Sequence, residues 1–250
     1  MTKNVRTTRR DTLILLGAAG FPVGSCGGTD AGGFGKPSEN ATTNWGGSGG
    51  VSVGDGGSGR AGANDSPLCE VRPAQTIGPF PNKADLNRSD VRAGQKGTLL
   101  RLKLTVYSAG NCRPVPNALV DIWQCNAAGK YSEYSDFGTA DQSWLRGFQV
   151  AAADGSVRFV TNYPGWYPGR SVHIHFRVRA ASQTFVSQLY FEDALTARVH
   201  EQAPYNAQAG QRTLNLSDAI FRSGGDKLTL KVAQQGNEHL ASFDLGIQLG

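Results

Sequence analysis

From residue 98 onward, apolar and polar residues alternate in short runs separated by turn signals, and no other feature limits the fold as tightly. The runs are TLLRLKLTVYS (98–108), ALVDIWQ (118–124), SVRFVTNY (156–163), SVHIHFRVRA (171–180), TFVSQLYFE (184–192), KLTLKVAQ (227–234) and LASFDLGIQL (240–249). Between them stand SAGN at 108, AADG at 152, YPGWYPG at 163 and SGGD at 223. Successive side chains of a strand point to opposite faces, so a period of two builds half-buried strands, whereas a helix needs apolar residues three and four apart. Only RTLNLSDAIFR (212–222) offers a short helical period. The expected fold is all-β, an antiparallel β-sandwich core with long loops.

Residues 27–66 are not expected to join that core. They hold fourteen of the 33 glycines among Ser, Asn and Asp, and such a composition buries too little apolar surface to offset the entropy lost on ordering. The tract reads as a flexible linker. Ahead of it, TRRDTLILLGAAGFPVGSC sets Arg9 and Arg10 before an apolar run from Leu13 to Val23, interrupted by Pro22. That run is too short to span a bilayer as a mature helix and resembles a twin-arginine export signal. VGSC at 23–26 resembles a lipobox in part, leucine being the usual first letter. With the modification, Cys26 becomes a lipidated membrane anchor; without it, the mature protein is released. The expected organisation is therefore an export signal at 1–26, a linker at 27–66 and one catalytic domain at 67–250, for which 39% hydrophobic content is sufficient. The formal charge of +5 owes much to Lys3, Arg6, Arg9 and Arg10 against Asp11, so the remainder lacks the basic excess that a nucleic-acid partner demands. In an oxidising compartment two of Cys69, Cys112 and Cys125 pair, as Cys69–Cys112 or Cys112–Cys125, and none has a zinc-ligand spacing.

The chemistry concentrates in NYPGWYPGRSVHIHF (162–176). On a strand His173 and His175 share one face while Ile174 and Phe176 point into the core. Two imidazoles on one face suit a metal, although two satisfied polar residues at a sheet surface give the same pattern. The tyrosines decide between these readings: Tyr163 and Tyr167 flank Trp166 in a Pro/Gly turn, and AAGKYSEYSD adds Tyr131 and Tyr134. No carboxylate or cysteine nearby completes a zinc site or a two-histidine, one-carboxylate site. Any metal must then take phenol oxygens. Deprotonating a phenol of pKa near 10 costs about 4 kcal/mol at neutral pH, which a divalent ion avoids by choosing carboxylates and a hard trivalent ion offsets. The expected cofactor is Fe(III).

TIGPF at 76–80, DIWQCNAAGKYSEYSD at 121–136, LRGFQVAAADGSVRFVTNYPGWYPGRSVHIHFRV at 145–178 and SQLYFE at 187–192, in this order and spacing, resemble intradiol ring-cleavage dioxygenases, the exported single-chain branch in particular. The resemblance covers about residues 69–192. It implies a non-haem ferric centre held by Tyr131 of GKY, Tyr167 of PGWYP, His173 and His175; Tyr134 does not stand at the family position. It implies also that Arg170 lies beside the substrate ring, that Gln188 neighbours the open site and that Trp123 forms an aromatic wall. Gly78 and Pro79, within TIGPFPNKADLNRSDVRAG (76–94), would line the substrate mouth with Tyr134, Phe137 and Trp144. The implied substrates are a 1,2-dihydroxybenzene and dioxygen. One diol proton passes to Tyr167 as it leaves the metal, Arg170 stabilises developing negative charge, and both oxygen atoms end in a cis,cis-muconic acid. Tyr163 reads as core or pocket wall, and His200 and His239 as structural or exposed. The rival reading is a noncatalytic secreted β-sandwich binding module that has lost its iron, and iron content separates the two.

Overall fold

The computed structural model describes residues 69–248 apart from residue 84. The export signal with Arg9, Arg10 and Cys26, and the linker at 27–66, lie outside the described residues. Among the described residues are eight strands: β1 (Leu99–Ser108), β2 (Leu119–Trp123), β3 (Arg146–Val150), β4 (Ser156–Asn162), β5 (His173–Ala180), β6 (Gln183–Tyr190), β7 (Val232–Gln235) and β8 (Glu238–Ile247). They form two four-stranded sheets, ordered β4-β1-β8-β7 and β3-β2-β5-β6.

The alternation expected from the sequence is what joins the sheets. Leu100, Leu102 and Leu104 of β1 are fully buried and meet Val120 and Ile122 of β2 and Ile174, Phe176 and Val178 of β5 in one apolar cluster. Burying each such side chain contributes roughly 1.5–3 kcal/mol, so the register of every inner strand is fixed by its apolar face.

Three details depart from the expectations. The sandwich is not purely antiparallel, because β1 and β8 pair in parallel from Leu99 opposite Glu238 to Ser108 opposite Ile247. These strands lie at opposite ends of the fold in sequence, and no hairpin dictates their relative sense. Residues 212–222 form turns and a 3₁₀ turn at Asn215–Ser217 rather than an α-helix. The α-helix is α1, Asp193–His200. The polar groups of the 212–222 segment instead cap its start: Arg212 Nη1 donates to Asp193 Oδ1 at 2.5 Å, Asn215 N to Asp193 Oδ2 at 3.1 Å and Asn215 Nδ2 to the Phe191 carbonyl at 2.8 Å. Strand β3 was not expected either.

Of the two open cysteine pairings, Cys69–Cys112 forms, and Cys125 is free and buried. The disulfide fastens the start of a segment that then crosses the second sheet. Val71 bridges to Gly246, Ser187 Oγ donates to the Pro73 carbonyl at 2.7 Å, and Gln75 N donates to the Val186 carbonyl at 3.0 Å. TIGPF is thereby laid over the face of the β3-β2-β5-β6 sheet turned away from the sandwich core.

Candidate metal centre

The pairing register assembles the floor of the site. His175 stands opposite Trp123 on β2 and opposite Gln188 on β6, and His173 stands opposite Tyr190. The intervening residues Ile122, Ile174, Phe176 and Leu189 belong to the sandwich core. One face of the sheet is therefore hydrophobic filling, and the other carries a row of imidazoles, amide and aromatic rings.

Two loops bring the phenols. The first leaves β2, and Asn126 organises it: its Oδ1 accepts from the backbone N–H groups of Ala128 and Lys130, both at 3.1 Å. Gly129 turns with φ +73°, and a Cβ there would sit 2.2 Å from the Trp166 carbonyl oxygen. Only glycine lets the Tyr131 loop press against the loop bearing Tyr167. Tyr131 is buried, stacked on Phe80 at 5.0 Å and beneath the Arg146 guanidinium, 5.7 Å from its ring centre. Tyr167, on the Pro/Gly turn, stays partly exposed.

Four donor groups converge. His173 Nε2 lies 3.1 Å from Tyr167 Oη and 3.0 Å from His175 Nε2, and the Tyr131 and Tyr167 rings stand 5.8 Å apart at 70°. Tyr131 Oη is buried with no hydrogen-bond partner. His173 Nδ1 donates to the Ser171 carbonyl at 2.6 Å, which fixes the tautomer and leaves the Nε2 lone pair facing the cluster. His175 is held by its ring, stacked on Trp123 at 5.1 Å and 1°. Gly78 (φ +73°) leans on its other side, where a Cβ would come within 2.9 Å of His175 Cε1.

The electrostatics keep all four groups neutral when no cation is present. Burial and nearby Arg170 lower the pKa of His173 to about 3, and burial together with His173 holds His175 well below the usual range. Burial pushes Tyr167 up to about 12 and, with Tyr167 adjacent, raises Tyr131 well above an ordinary phenol. Neutral imidazoles and a buried phenol oxygen with no other partner fit a hard cation, which must displace the two phenol protons and offset that cost through its own charge. Among the described residues no group of three or more His, Cys, Asp or Glu offers an alternative metal site.

Two arginines flank the cluster. Arg170 is bonded through Nη2 to Gln188 Oε1, a short contact, and through Nε to Asp218 Oδ2 at 3.0 Å. Arg146 is completely buried: Nε donates to Ser132 Oγ at 2.8 Å, Nη2 to the Ser132 carbonyl at 2.8 Å and Nη1 to the Phe80 carbonyl at 3.2 Å. It clamps the Tyr131 loop to TIGPF.

Thus Tyr131, Tyr167, His173, His175, Arg170, Gln188, Trp123 and Gly78 come together, with Trp123 touching the His175 ring rather than open space. Tyr134 packs edge-on against Phe80 at 4.9 Å and donates from Oη to the Pro81 carbonyl at 3.0 Å, and Pro79 is exposed beside it. Phe137 also meets Phe80, at 5.1 Å, while Trp144 is buried with Nε1 on Gln142 Oε1 at 2.6 Å. Tyr163 lies in the core, its Oη 2.7 Å from Thr196 Oγ1. Arg146 and Asp218 were not expected. Arg146 was legible in principle, since LRGF is part of the family-like stretch; nothing in NLSDAI marks Asp218.

A family model described as Dioxygenase matches residues 78–210. The chain is 34% identical over 131 residues to the protocatechuate 3,4-dioxygenase beta chain of Burkholderia cepacia, covering 47% of this chain and 54% of that one. It is 30% identical over 122 residues to chlorocatechol 1,2-dioxygenase of Rhodococcus opacus, covering 41% and 47%. The chain thus spans about half the length of these curated relatives. A solved intradiol ring-cleavage dioxygenase from Tetranychus urticae superposes with a TM-score of 0.68 at 29% identity, over 72% of this chain and 95% of that one.

Proposed function

Because the chain belongs to the intradiol ring-cleavage dioxygenase family, a family that uses non-haem iron, we propose that it opens 1,2-dihydroxybenzene rings between the hydroxyls with dioxygen, on Fe(III) held by Tyr131, Tyr167, His173 and His175. The observation that carries this reading is the convergence of Tyr167 Oη and His175 Nε2 on His173 Nε2, at 3.1 and 3.0 Å, beside the unpartnered Tyr131 Oη. When bound, ferric iron would supply Lewis acidity and an electron sink for the diolate.

The chain's own residues divide the remaining work. Tyr131 is clamped by Phe80 and Arg146 and would be the permanent ligand. Tyr167, partly exposed on a turn, would be the ligand that gives way to the substrate. Its burial-raised pKa makes it a ready proton acceptor at Oη once it is no longer paired with a cation, so a diol loses one of its two protons to Tyr167 as it binds, the other passing to hydroxide. Arg170, its charge favoured by neighbouring Tyr167 and Asp218 against burial, stabilises negative charge developing on the ring. Phe80 and Trp123 exclude water around Tyr131 and His175. The product is a cis,cis-muconic acid carrying both oxygen atoms.

Purified protein is expected to be reddish, with a broad tyrosinate-to-iron band that shifts on adding catechol, and to consume oxygen with at least one member of a panel of substituted catechols. A colourless, iron-free preparation from iron-replete cells, inert with the whole panel, overturns the proposal in favour of a binding module.

We also propose export. The twin arginines and the Cys69–Cys112 disulfide support an oxidising compartment. Labelling with a fatty-acid analogue that disappears in Cys26→Ser supports a membrane anchor, whereas unlabelled soluble mature protein removes it.

A further inference from the structure

The side-chain bonds of Arg170 reach other elements. Gln188 of β6 holds Nη2. Gln188 is itself fixed, its Nε2 donating to the Thr76 carbonyl at 3.0 Å and its Oε1 lying 3.1 Å from Tyr190 Oη. Asp218 holds Nε, and it arrives from the 3₁₀ segment that follows α1, beyond residue 210 where the family-model match ends.

The Asp218 carboxylate is 1% exposed and fully engaged. Oδ2 accepts from Arg170 Nε at 3.0 Å, Ser171 N at 3.0 Å and Ser171 Oγ at 2.9 Å, while Oδ1 accepts from Ile220 N at 2.8 Å. The loop that presents it is itself anchored, with Asn215 bonded to Asp193 and Phe191, and the Ile220 carbonyl accepting from Gln75 Nε2 at 2.9 Å. Two branches leave this one carboxylate. The first orients the guanidinium plane, which Gln188 holds at Nη2. The second fixes the Ser171 peptide, whose carbonyl receives the His173 Nδ1–H at 2.6 Å.

We infer that Asp218 is a positioning residue, acting through Arg170 on the developing charge of the substrate and through Ser171 on the orientation of His173. This rests on the function proposed above. Neither branch survives in an ordinary surface salt bridge, where solvent and side-chain entropy dissolve the geometry. Here the carboxylate is buried, charged and bonded at both oxygens, so the directions it imposes are retained.

The test is a double-mutant cycle on the iron-loaded full chain with catechol. Asp218→Asn keeps size and one acceptor but cannot accept at both oxygens. It is expected to lower kcat about 10- to 30-fold with KM changed by less than about 3-fold, and to shift the visible tyrosinate band because His173 is less firmly held. Arg170→Gln is expected to cost about 10²-fold in kcat. If Asp218 acts through Arg170, the Asp218→Asn loss of kcat is smaller in the Arg170→Gln background than in the wild type, and what remains is the part carried through Ser171 to His173. Independent losses that multiply, or an Asp218→Asn enzyme with unchanged kcat and band, overturn the inference. A readout independent of the metal is the Arg170 Nε–H resonance of the full chain prepared without iron. It should be protected from exchange in the wild type and lost in Asp218→Asn. Free exchange in the wild type overturns the inference even if the variant fails to fold. An inert wild type that still protects this proton counts against the proposed function and leaves the positioning by Asp218 supported.

Discussion

The fold holds two pairs of histidines against tyrosines, and they end in opposite chemistry. His173 and His175 sit on β5 beside Tyr167. His200 and His239 flank Tyr163, with ring centres 5.9 and 6.1 Å from it. Burial lowers the pKa of all four, so a depressed pKa marks neither pair as a site. The tautomers of His173 and His200 separate these two. In His173 the proton is on Nδ1, donated to the Ser171 carbonyl, and the Nε2 lone pair faces other donors. In His200 the proton is on Nε2, donated to the Pro164 carbonyl at 2.9 Å, and the lone pair is left on buried Nδ1 with no partner. His200 is further pinned by stacking on Tyr205 at 4.9 Å and 11°. In the function proposed above, convergence with other donor groups, and not the count of histidines or their burial, distinguishes the metal-binding pair from structural packing.

The largest expected effects test that distinction directly. His173→Ala should abolish iron retention and reduce oxygen uptake by at least about 10³-fold, because two phenolates and one imidazole no longer complete the cation's shell. His200→Gln should keep iron content and stay within about 2-fold of wild-type activity. Equal losses of iron in both variants, measured by metal analysis, would erase the contrast between the pairs. The tyrosines give a second contrast. Tyr131→Phe should remove most of the visible band and the bound iron. Tyr134→Phe should keep both, losing only the bond to the Pro81 carbonyl, worth about 1 kcal/mol of stability.

The same contrast explains how much was legible in the sequence. That His173 and His175 share the face away from the core could be read from the strand period, since Ile174 and Phe176 must face the core and do; that the pair suits a metal needed the tyrosines beside it. Tyr131 and Tyr167 needed the family resemblance, because a loop tyrosine carries no periodicity to say where it points. Strand β3 escaped since Arg146 turns inward to the Tyr131 loop and Gly147 fits against Val91, where a Cβ would lie 2.9 Å from Cγ1. Its side chains therefore do not alternate apolar and polar. Helix α1 is eight residues long, too short for a helical period to stand out. Asp218 is 48 positions from Arg170, and only the folded loop brings it there. His200 and His239, which look solitary in sequence, meet across Tyr163 for the same reason.

A smaller effect is expected at Gly78, where the two determinants of the His175 position meet. Its φ of +73° and the 2.9 Å approach to His175 Cε1 both exclude a side chain. Gly78→Ala should be destabilising by about 1–2 kcal/mol and should lower iron occupancy several-fold by pressing the ring toward Trp123. Gly169→Ala is a control for backbone strain alone, since its φ is +84° but nothing lies near its Cβ. A variant pair with equal stability loss and equal iron content would show that Gly78 matters to the turn and not to the imidazole.

The smallest expected effect is a pH slope at the structural pair. Protonating His200 must place a proton on Nδ1, which is buried without an acceptor, next to the cationic Arg212. Its folded pKa therefore lies below the unfolded value of about 6.5. The unfolded chain binds that proton first as pH falls, so the contribution of neutral His200 to stability is complete above about pH 6.5 and is lost progressively below it. Relative to wild type, His200→Gln should lose less stability between about pH 7.5 and about pH 5.5, by at most about 1.4 kcal/mol in urea unfolding of the iron-free protein. The comparison must be made between the two proteins, since His173 and His175 bend both curves in the same direction when no iron is bound. Identical slopes would mean that His200 takes up its proton in the folded state as easily as in the unfolded chain, and the buried Nδ1 would then have to be reached by water.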